Sequence, residues 1–372
     1  MSNKICILTS VHPPFDTRIF HKQAKTLTQA GYDVVLIAQH DRNEVVDGVK
    51  IIALPRPRNR FYRIFGLTWK AFFLALKQKA DVYHFHDPEL LPIGMLLKFF
   101  AHAKVIYDVH EDVSEQILTK PWIPALLRRL WAVMFNFVEK LLTRWVDAVV
   151  VATKGIAEKF RRLNPIVVHN YPDLTLLPNP MPATEVKKGK VLIYVGGISR
   201  IRGAVEMVRA LEFLEHIPDL RLDLIGRFEP PELESKLQRL PGYRRVRYLG
   251  WMKPKDLYPY LLKGDIGLVC LHPVSRYVIA FPVKLFEYMA AGLPMVASNF
   301  PLWKEIVEGN NCGLCVDPLN PKEVAEAIEY LLEHPDLRRK MGENGRRAVM
   351  KKYNWKKEEG KLLKLYEELL KQ

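Results

Sequence analysis

Residues 281–298, FPVKLFEYMAAGLPMVAS, constrain the fold more than any other stretch of this chain. Proline suits the first helical position, where its fixed φ fits and its missing N–H costs nothing, so Pro282 is predicted to open a helix. Leu285, Phe286, Met289 and Ala290 follow at helical spacing and make one apolar face. Gly292 is a natural stop, because glycine takes the left-handed conformation past a helix end without strain. Beyond Pro294, residues 295–297 read as a short buried strand. A helix that feeds straight into a buried strand belongs to an α/β sheet. Lys284 and Glu287 lie three apart, on one side of the helix. A helix N-terminus offers free N–H groups and about half a positive charge to an anion. Lys284 adds a full charge, and Glu287 can accept hydrogen bonds from a vicinal diol such as a ribose. The pair suits a nucleotide diphosphate; it suits equally an ordinary amphipathic helix with a Lys and a Glu at its edge.

The same alternation runs through the chain. Residues 4–10 read as a strand, 20–31 as a helix ending at glycine and 32–38 as the next strand, an order that predicts a parallel sheet. Further strands are predicted at 81–86, 104–108, 148–152 and 166–169. The proline-rich stretch 170–189 breaks the pattern, which restarts with strands at 191–195, 220–225, 246–249 and 266–271. A chain of 372 residues suits two cores. The division expected is a first domain over 1–172, a linker over 173–189, a second domain over 190–354 and a closing helix over 355–372. The fold class is therefore α/β, with two doubly wound parallel-sheet domains.

Ligands of such sheets bind at the carboxyl ends of the strands. In the first half these ends carry His12 and Arg18, then Asp87, then His110 with Glu111 and Asp112. Arg18 is placed to meet a phosphate and His12 to face a sugar. A histidine flanked by carboxylates can be held in one tautomer and can accept a proton, which makes His110 a candidate. In the second half the loop 196–203, GGISRIRG, lets backbone approach an anion at Gly196 and Gly197, while Arg200 and Arg202 supply charge. Gly226 and the Gly250-Trp251 pair end two further strands. Plain loop chemistry accounts for each of these singly; their convergence on strand ends gives them weight.

The formal net charge of +15 implies an anionic partner. Residues 56–63, RPRNRFYR, interleave arginines with aromatics, and 121–145 combine Trp122, Leu126, Leu127, Leu130, Trp131, Met134, Phe135 and Phe137 with Arg128, Arg129, Lys140 and Arg144. Part of the second region is expected in the core, and both fit an anionic lipid surface. No apolar run reaches the ~18 residues of a membrane span. Four cysteines in so long a chain argue for a reducing compartment, and Cys312-Gly-Leu-Cys315 reads as two buried thiols rather than a redox pair. With no signal peptide in view, a cytoplasmic protein is expected, peripheral on the inner face of the cell membrane.

The stretches VGGISRIRG, FPVKLFEYMAAGLPMVAS, CGLCVDP and KKYNWKK resemble family-4 glycosyltransferases of GT-B architecture. HPPFDTRIFHKQAKTL and HFHDPELL with YDVHED resemble the same family, in its polysaccharide and cell-envelope branch. The resemblance covers essentially the whole chain. It implies a C-terminal domain that binds a nucleotide-diphosphate sugar, an N-terminal domain that binds a glycan or lipid-linked acceptor, a cleft between them, and a last helix that crosses back. It further implies retention of anomeric configuration, with no metal, no other cofactor and no nucleic-acid partner. Glu287 matches the second glutamate of the family's E-x7-E motif, which holds the donor ribose, and His110 the histidine facing the donor sugar; both are expected to be catalytic. Arg202 matches the basic residue that contacts the diphosphate. Gly196, Gly197, Arg200, Gly226, Trp251, Lys284 and Leu285 are expected to complete the donor site, and His12, Arg18, Asp87 and Glu111 the acceptor site. Two positions depart from the pattern. Ile279 stands where the first glutamate of the motif falls, and Gly197 where an arginine is usual; Arg200 or Lys284 is the expected replacement for that charge. A nucleotide-sugar 2-epimerase and a non-catalytic nucleotide-sugar or polyanion binder remain as alternatives. A requirement for acceptor separates the three.

Overall fold

The structure, a computed structural model, describes residues 3–119, 123–177 and 190–371. The chain divides into two compact units, Met1–Asn170 with Trp355–Gln372, and Tyr171–Asn354. Of the expected linker, residues 178–189 lie outside the described residues, as do Pro121 and Trp122.

The first unit is built on strands β1 (Lys4–Leu8), β2 (Asp33–Gln39), β3 (Glu44–Val46), β4 (Val49–Leu54), β5 (Val82–Phe85), β6 (Lys104–Val109), β7 (Ala148–Val151) and β8 (Ile166–Val167). They form one sheet in the order β3-β4-β2-β1-β5-β6-β7-β8, parallel except for the β3–β4 pair. The order reverses between β1 and β5, so the loops after those two strands open apart and leave a crevice at the sheet edge. Strands such as Ile5-Cys6-Ile7-Leu8 are apolar at every position because both sheet faces are covered. One face packs against helices Thr68–Leu76 and Leu91–Ala101. The other receives Ile19, Phe20 and Leu27 together with Trp355, Leu362, Leu365, Tyr366 and Leu369 of the final helix, Trp355–Lys371. The β3–β4 hairpin has no counterpart in the sequence reading. Its Asp47-Gly48 turn, with φ of 51° and 81°, carries the dipeptide that favours a two-residue hairpin.

The second unit repeats the design. Strands β9 (Val191–Val195), β10 (Arg221–Ile225), β11 (Val246–Gly250), β12 (Ile266–Val269), β13 (Met295–Ser298) and β14 (Gly313–Val316) run in the order β11-β10-β9-β12-β13-β14, all parallel. Here the order reverses between β9 and β12. The helix read from the sequence spans Val283–Ala291 and stops at Gly292, φ 68°. Pro282 precedes it and does not form its first turn: its ψ of 131° is extended, and its carbonyl accepts the Leu285 N–H at 3.1 Å. Cys312 and Cys315 sit at β14, where burial above all pushes both thiols up to about 12. Thiols so protonated are poor nucleophiles.

The helix Ala125–Leu142 is the most exposed of the regions expected to be part core and part surface. Only Ala132 and Glu139 are buried along it. Leu126 (94% exposed), Leu130, Val133, Phe137 (67%) and Leu141 form a stripe at helical spacing that faces outward. The inward side carries Arg128, Asn136 and Glu139 instead. Of the region expected in part to be core, Ile123 and Ala132 are buried and Leu142 packs against the core, while the apolar stripe of the helix is turned outward.

Within the final helix, Trp355 contributes packing and a buried hydrogen bond, from its Nε1 to Thr26 Oγ1 at 2.9 Å. Trp355→Ala removes both. It should lower the unfolding free energy of the first unit by about 3–5 kcal/mol. Urea unfolding followed by tyrosine and tryptophan signals tests this, and an unchanged midpoint would refute it.

Candidate active site

In the second unit, β9 delivers Gly196 and Gly197 to the reversal point. Gly196 has φ 122° and Gly226 φ 153°, and a Cβ on Gly226 would lie 1.8 Å from the Gly196 carbonyl oxygen. Glycine at 226 is thus required for the two strand ends to meet. The loop is clamped by Tyr194, whose hydroxyl donates to the Gly197 carbonyl at 2.7 Å. The face of the same ring lies 3.8 Å below the ammonium of Lys284, in the first turn of the Val283–Ala291 helix.

Lys284 Nζ is buried and has no hydrogen-bond acceptor. Burial first, and then the charge of Arg202, hold its pKa well below the ordinary lysine value. A buried cation without an acceptor is costly, and an anion brought beside it reverses that cost. Arg202 lies close by; its Nε donates to the Tyr277 hydroxyl at 3.3 Å, and Glu229 is 4.0 Å from its Nη1. These contacts explain the glycine at 197. A Cβ there would lie 2.1 Å from Arg202 Nη1 and 2.8 Å from a Glu229 oxygen, so the arginine fills the space a side chain would need. Arg200 is exposed in the same turn, which Ile201 ties to the loop after β12 by accepting the His272 N–H at 2.9 Å. Glu287 is half-buried one turn beyond Lys284. Trp251 is exposed beside Arg227, whose guanidinium carbon is 5.9 Å from its ring centre. Leu285 is different: its side chain is wholly buried in the core and its N–H is taken by Pro282, which leaves it neither surface nor donor for a ligand. Ile279 is exposed just past a short turn of helix, Ser275–Val278.

In the first unit the reversal point gathers histidines. His12 lies between Asp16 (3.5 Å) and Asp87 (3.6 Å). Its ring centre is 5.2 Å from that of His110, and His110 Nε2 is 2.9 Å from His86 Nδ1. His84 stacks on His86 at 4.7 Å and meets the Tyr366 hydroxyl at 2.7 Å. Beneath them sits Asp108, fully buried, 3.6 Å from His84, 3.7 Å from His86 and 3.8 Å from His110. Of these three imidazoles only that of His110 reaches solvent.

Arg18 is not on the loop surface, contrary to expectation. It is buried, with Nη2 2.9 Å from Asp108 Oδ1 and Nη1 donating to the Val168 carbonyl at 2.8 Å. A carboxylate sealed from water needs a counter-ion, and Arg18 is that ion. Asp87 is likewise committed: its Oδ2 accepts from Thr9 Oγ1 (2.8 Å) and Ser10 N (2.6 Å), so it shapes the loop after β1. Glu111 is exposed and paired with the Gln116 amide. Among the described residues, His84, His86 and Asp108 form a group with metal-type ligand atoms. Both oxygens of Asp108 are already occupied, by Arg18 and by Gln23 at 2.5 Å. The group reads as a hydrogen-bond centre beside a guanidinium, a poor place for a second cation.

Sequence reasoning passed over Tyr194, Tyr277, Glu229, His86 and Asp108. The last two were within reach, since His86 directly follows β5 and Asp108 lies near the end of the neighbouring β6, at the same sheet edge.

Burial lowers the pKa of both His84 and His86. Burial would also lower that of His12, but the Asp16 hydrogen bond and the charges of Asp87, Asp16 and Glu111 outweigh it and raise it. Groups with a lowered folded pKa give stability that is full above the unfolded value, ~6.5 for histidine, and is lost as pH falls. His12 acts in reverse, giving stability that is lost as pH rises through its raised value. Two buried imidazoles outweigh one partly exposed imidazole. The melting temperature of the first unit should therefore fall between pH 7 and pH 5; a rise over that interval in calorimetry would contradict this account.

The glycosyl transferase 4-like domain model matches residues 17–179, and the model described as glycosyl transferases group 1 matches residues 180–348. The glycogen synthase of Mycobacterium tuberculosis is 22% identical over 376 residues, covering 91% of this chain and 87% of its own. Spore coat protein SA of Bacillus subtilis is 30% identical over 187 residues, 48% of either chain. Among solved structures, the sucrose-phosphate synthase of Thermosynechococcus elongatus aligns with a TM-score of 0.79 at 20% identity over 99% of both chains. HepE of Anabaena, solved with UDP-glucose, aligns with a TM-score of 0.72 at 15% identity over 98% of this chain and 99% of its own. These two likenesses show the fold, which is GT-B.

Proposed function

Because the chain belongs to the glycosyltransferases that join a 4-like domain to a group 1 domain, we propose that it moves a sugar from a nucleotide diphosphate to a glycan or lipid-linked acceptor, with retention of configuration. The observation that carries this reading is the buried, unaccepted ammonium of Lys284 beside Gly196. Together with Arg202 and the N-terminus of the Val283–Ala291 helix, it makes a site for a dianion. The diphosphate takes this place, and Glu287 accepts from the ribose hydroxyls. Charge that builds on the leaving phosphate is met by side-chain cations, so the proposal needs no metal. The acceptor proton passes to that phosphate on the face it leaves. In the first unit, His110 is the imidazole open to a sugar hydroxyl. Asp108 and His86 hold its ring and tautomer.

Thermal shift against UDP, GDP, ADP, dTDP and CDP tests the donor site. A ligand at ~100 Kd should stabilise by about 2.7 kcal/mol. One base is expected to act, and both Lys284→Met and Glu287→Ala should abolish its effect. Silence from all five would remove the reading. Turnover of the conjugate without acceptor would favour an epimerase.

The acceptor half of the proposal places the first unit on an anionic bilayer at the cytoplasmic face. No helix among the described residues is long and apolar enough to cross a membrane. The outward stripe of the Ala125–Leu142 helix is joined by exposed Phe61, Phe65, Trp69, Phe73, Phe99 and Phe100. Helix Leu91–Ala101 packs against both Thr68–Leu76 and Ala125–Leu142, so these side chains share one side of the unit. Arg56, Arg58 and Arg60, shortly before Phe61 in the chain, and Arg129, next to Leu130, are exposed as well. Exposed apolar side chains with cations near them in the chain fit acyl chains under anionic headgroups, each basic residue adding about 1 kcal/mol near the surface. Phosphatidylglycerol vesicles should pull the protein down at low salt. Neutral vesicles should do so weakly, and Leu130→Glu with Phe137→Glu should prevent it. Equal sedimentation of this double variant would count against the surface.

A further inference from the structure

The helix Ala125–Leu142 presents its apolar stripe to solvent and is attached to the unit through a carboxylate. Glu139 is 2% exposed. Its Oε1 accepts from the Tyr107 hydroxyl at 2.8 Å, and its Oε2 lies 2.7 Å from Lys159 Nζ. Lys159 is itself nearly buried, and its ammonium also meets Asp112 Oδ1 at 2.8 Å and Ser114 Oγ at 3.1 Å. Burial and the neighbouring Glu139 raise the Tyr107 hydroxyl well above its ordinary value, so it remains a donor.

The two ends of this network fall on the same piece of chain. Tyr107 directly precedes Asp108, and Asp112 directly follows Glu111, so the partners of Glu139 bracket the segment that carries His110. Tyr107 fixes it from the strand side. Asp112 fixes it from the loop side, where it also accepts the Ser114 N–H at 3.0 Å and so starts the helix Val113–Thr119. The helices Val113–Thr119 and Ala125–Leu142 pack together, so the anchor and the segment form one cluster. Ion pairs this deeply buried are stiff, because losing one partner strands the other charge.

We infer that Glu139, Lys159 and Asp112 are positioning residues that couple docking of the Ala125–Leu142 helix on a lipid surface to the ordering of the segment 108–114 around His110. The inference rests on the membrane reading above and adds a regulation to it. A lipid surface that takes up the outward stripe presses on a helix whose inward anchor holds both flanks of the His110 segment. Docking therefore tightens that segment, and the acceptor half of the site is most ordered where a lipid-borne acceptor is found.

Hydrogen exchange of the full chain, with and without phosphatidylglycerol vesicles, tests this together with a sedimentation measurement on the same samples. Wild-type protein should sediment with vesicles, and its amides between 108 and 119 should then exchange severalfold more slowly. Lys159→Met should sediment as well as wild type but lose the slowing, and Lys159→Arg should restore it. Glu139→Gln, which keeps the volume and an acceptor for Tyr107, serves if Lys159→Met does not fold, with the same expectation. If wild type sediments without slowing, or if Lys159→Met or Glu139→Gln slows as wild type does, the coupling is overturned while the membrane reading stands. If wild type fails to sediment, both fall.

Discussion

The carboxylate of Asp108 organises the first unit. It is sealed from water at the end of a central strand, and everything near it answers to that charge. Arg18 is drawn inward from a loop to neutralise it, Gln23 donates to it from the following helical turn, and His84, His86 and His110 gather above it. The last helix joins in through Tyr366, which bonds His84. Through one ion the loop after β1, three strand ends and the closing helix share a common origin, which is why a histidine at the surface can keep one orientation.

The second unit holds the opposite arrangement. There a cation is buried without its anion, resting on the face of Tyr194 under a glycine loop. The first unit has a charge already balanced by the protein; the second has an ammonium that no hydrogen-bond acceptor meets. Both sit where the strand order turns over, since parallel strands bring all their carboxyl ends, and hence all their loops, to one edge.

The fold class was legible because buried parallel strands are apolar at every position and the glycines mark where helices stop. The β3–β4 hairpin and β14 were passed over; β3 and β14 are only three and four residues long and show no periodic pattern. At the site, residue type was easier to read than residue aim. Arg18, Asp87 and Leu285 stand at the expected places in the chain, yet their side chains turn to Asp108, to the Thr9 hydroxyl and Ser10 N–H, and to the core. Those choices depend on partners far away in sequence, such as Arg18 with Asp108, and spacing within one element carries no trace of them. Inversion of the Ala125–Leu142 helix was hidden for a related reason. Its composition shows an amphipathic helix, but not which face the unit claims, and a buried Glu139 could only be foreseen by knowing that Lys159 would stand opposite.

The chain leaves the first unit at Asn170 and returns to it at Trp355. During synthesis, then, the first unit is begun first and finished last. Until residues 355–371 emerge, the sheet face made by Ile5, Ile7, Leu36, Val82 and Ile106 lacks its cover of Trp355, Leu362, Leu365 and Tyr366. The second unit carries no such debt and can close as soon as its own helices are complete. A nascent chain of this protein therefore holds a finished half downstream of an unfinished one. The interval is one in which a chaperone has an apolar surface to hold.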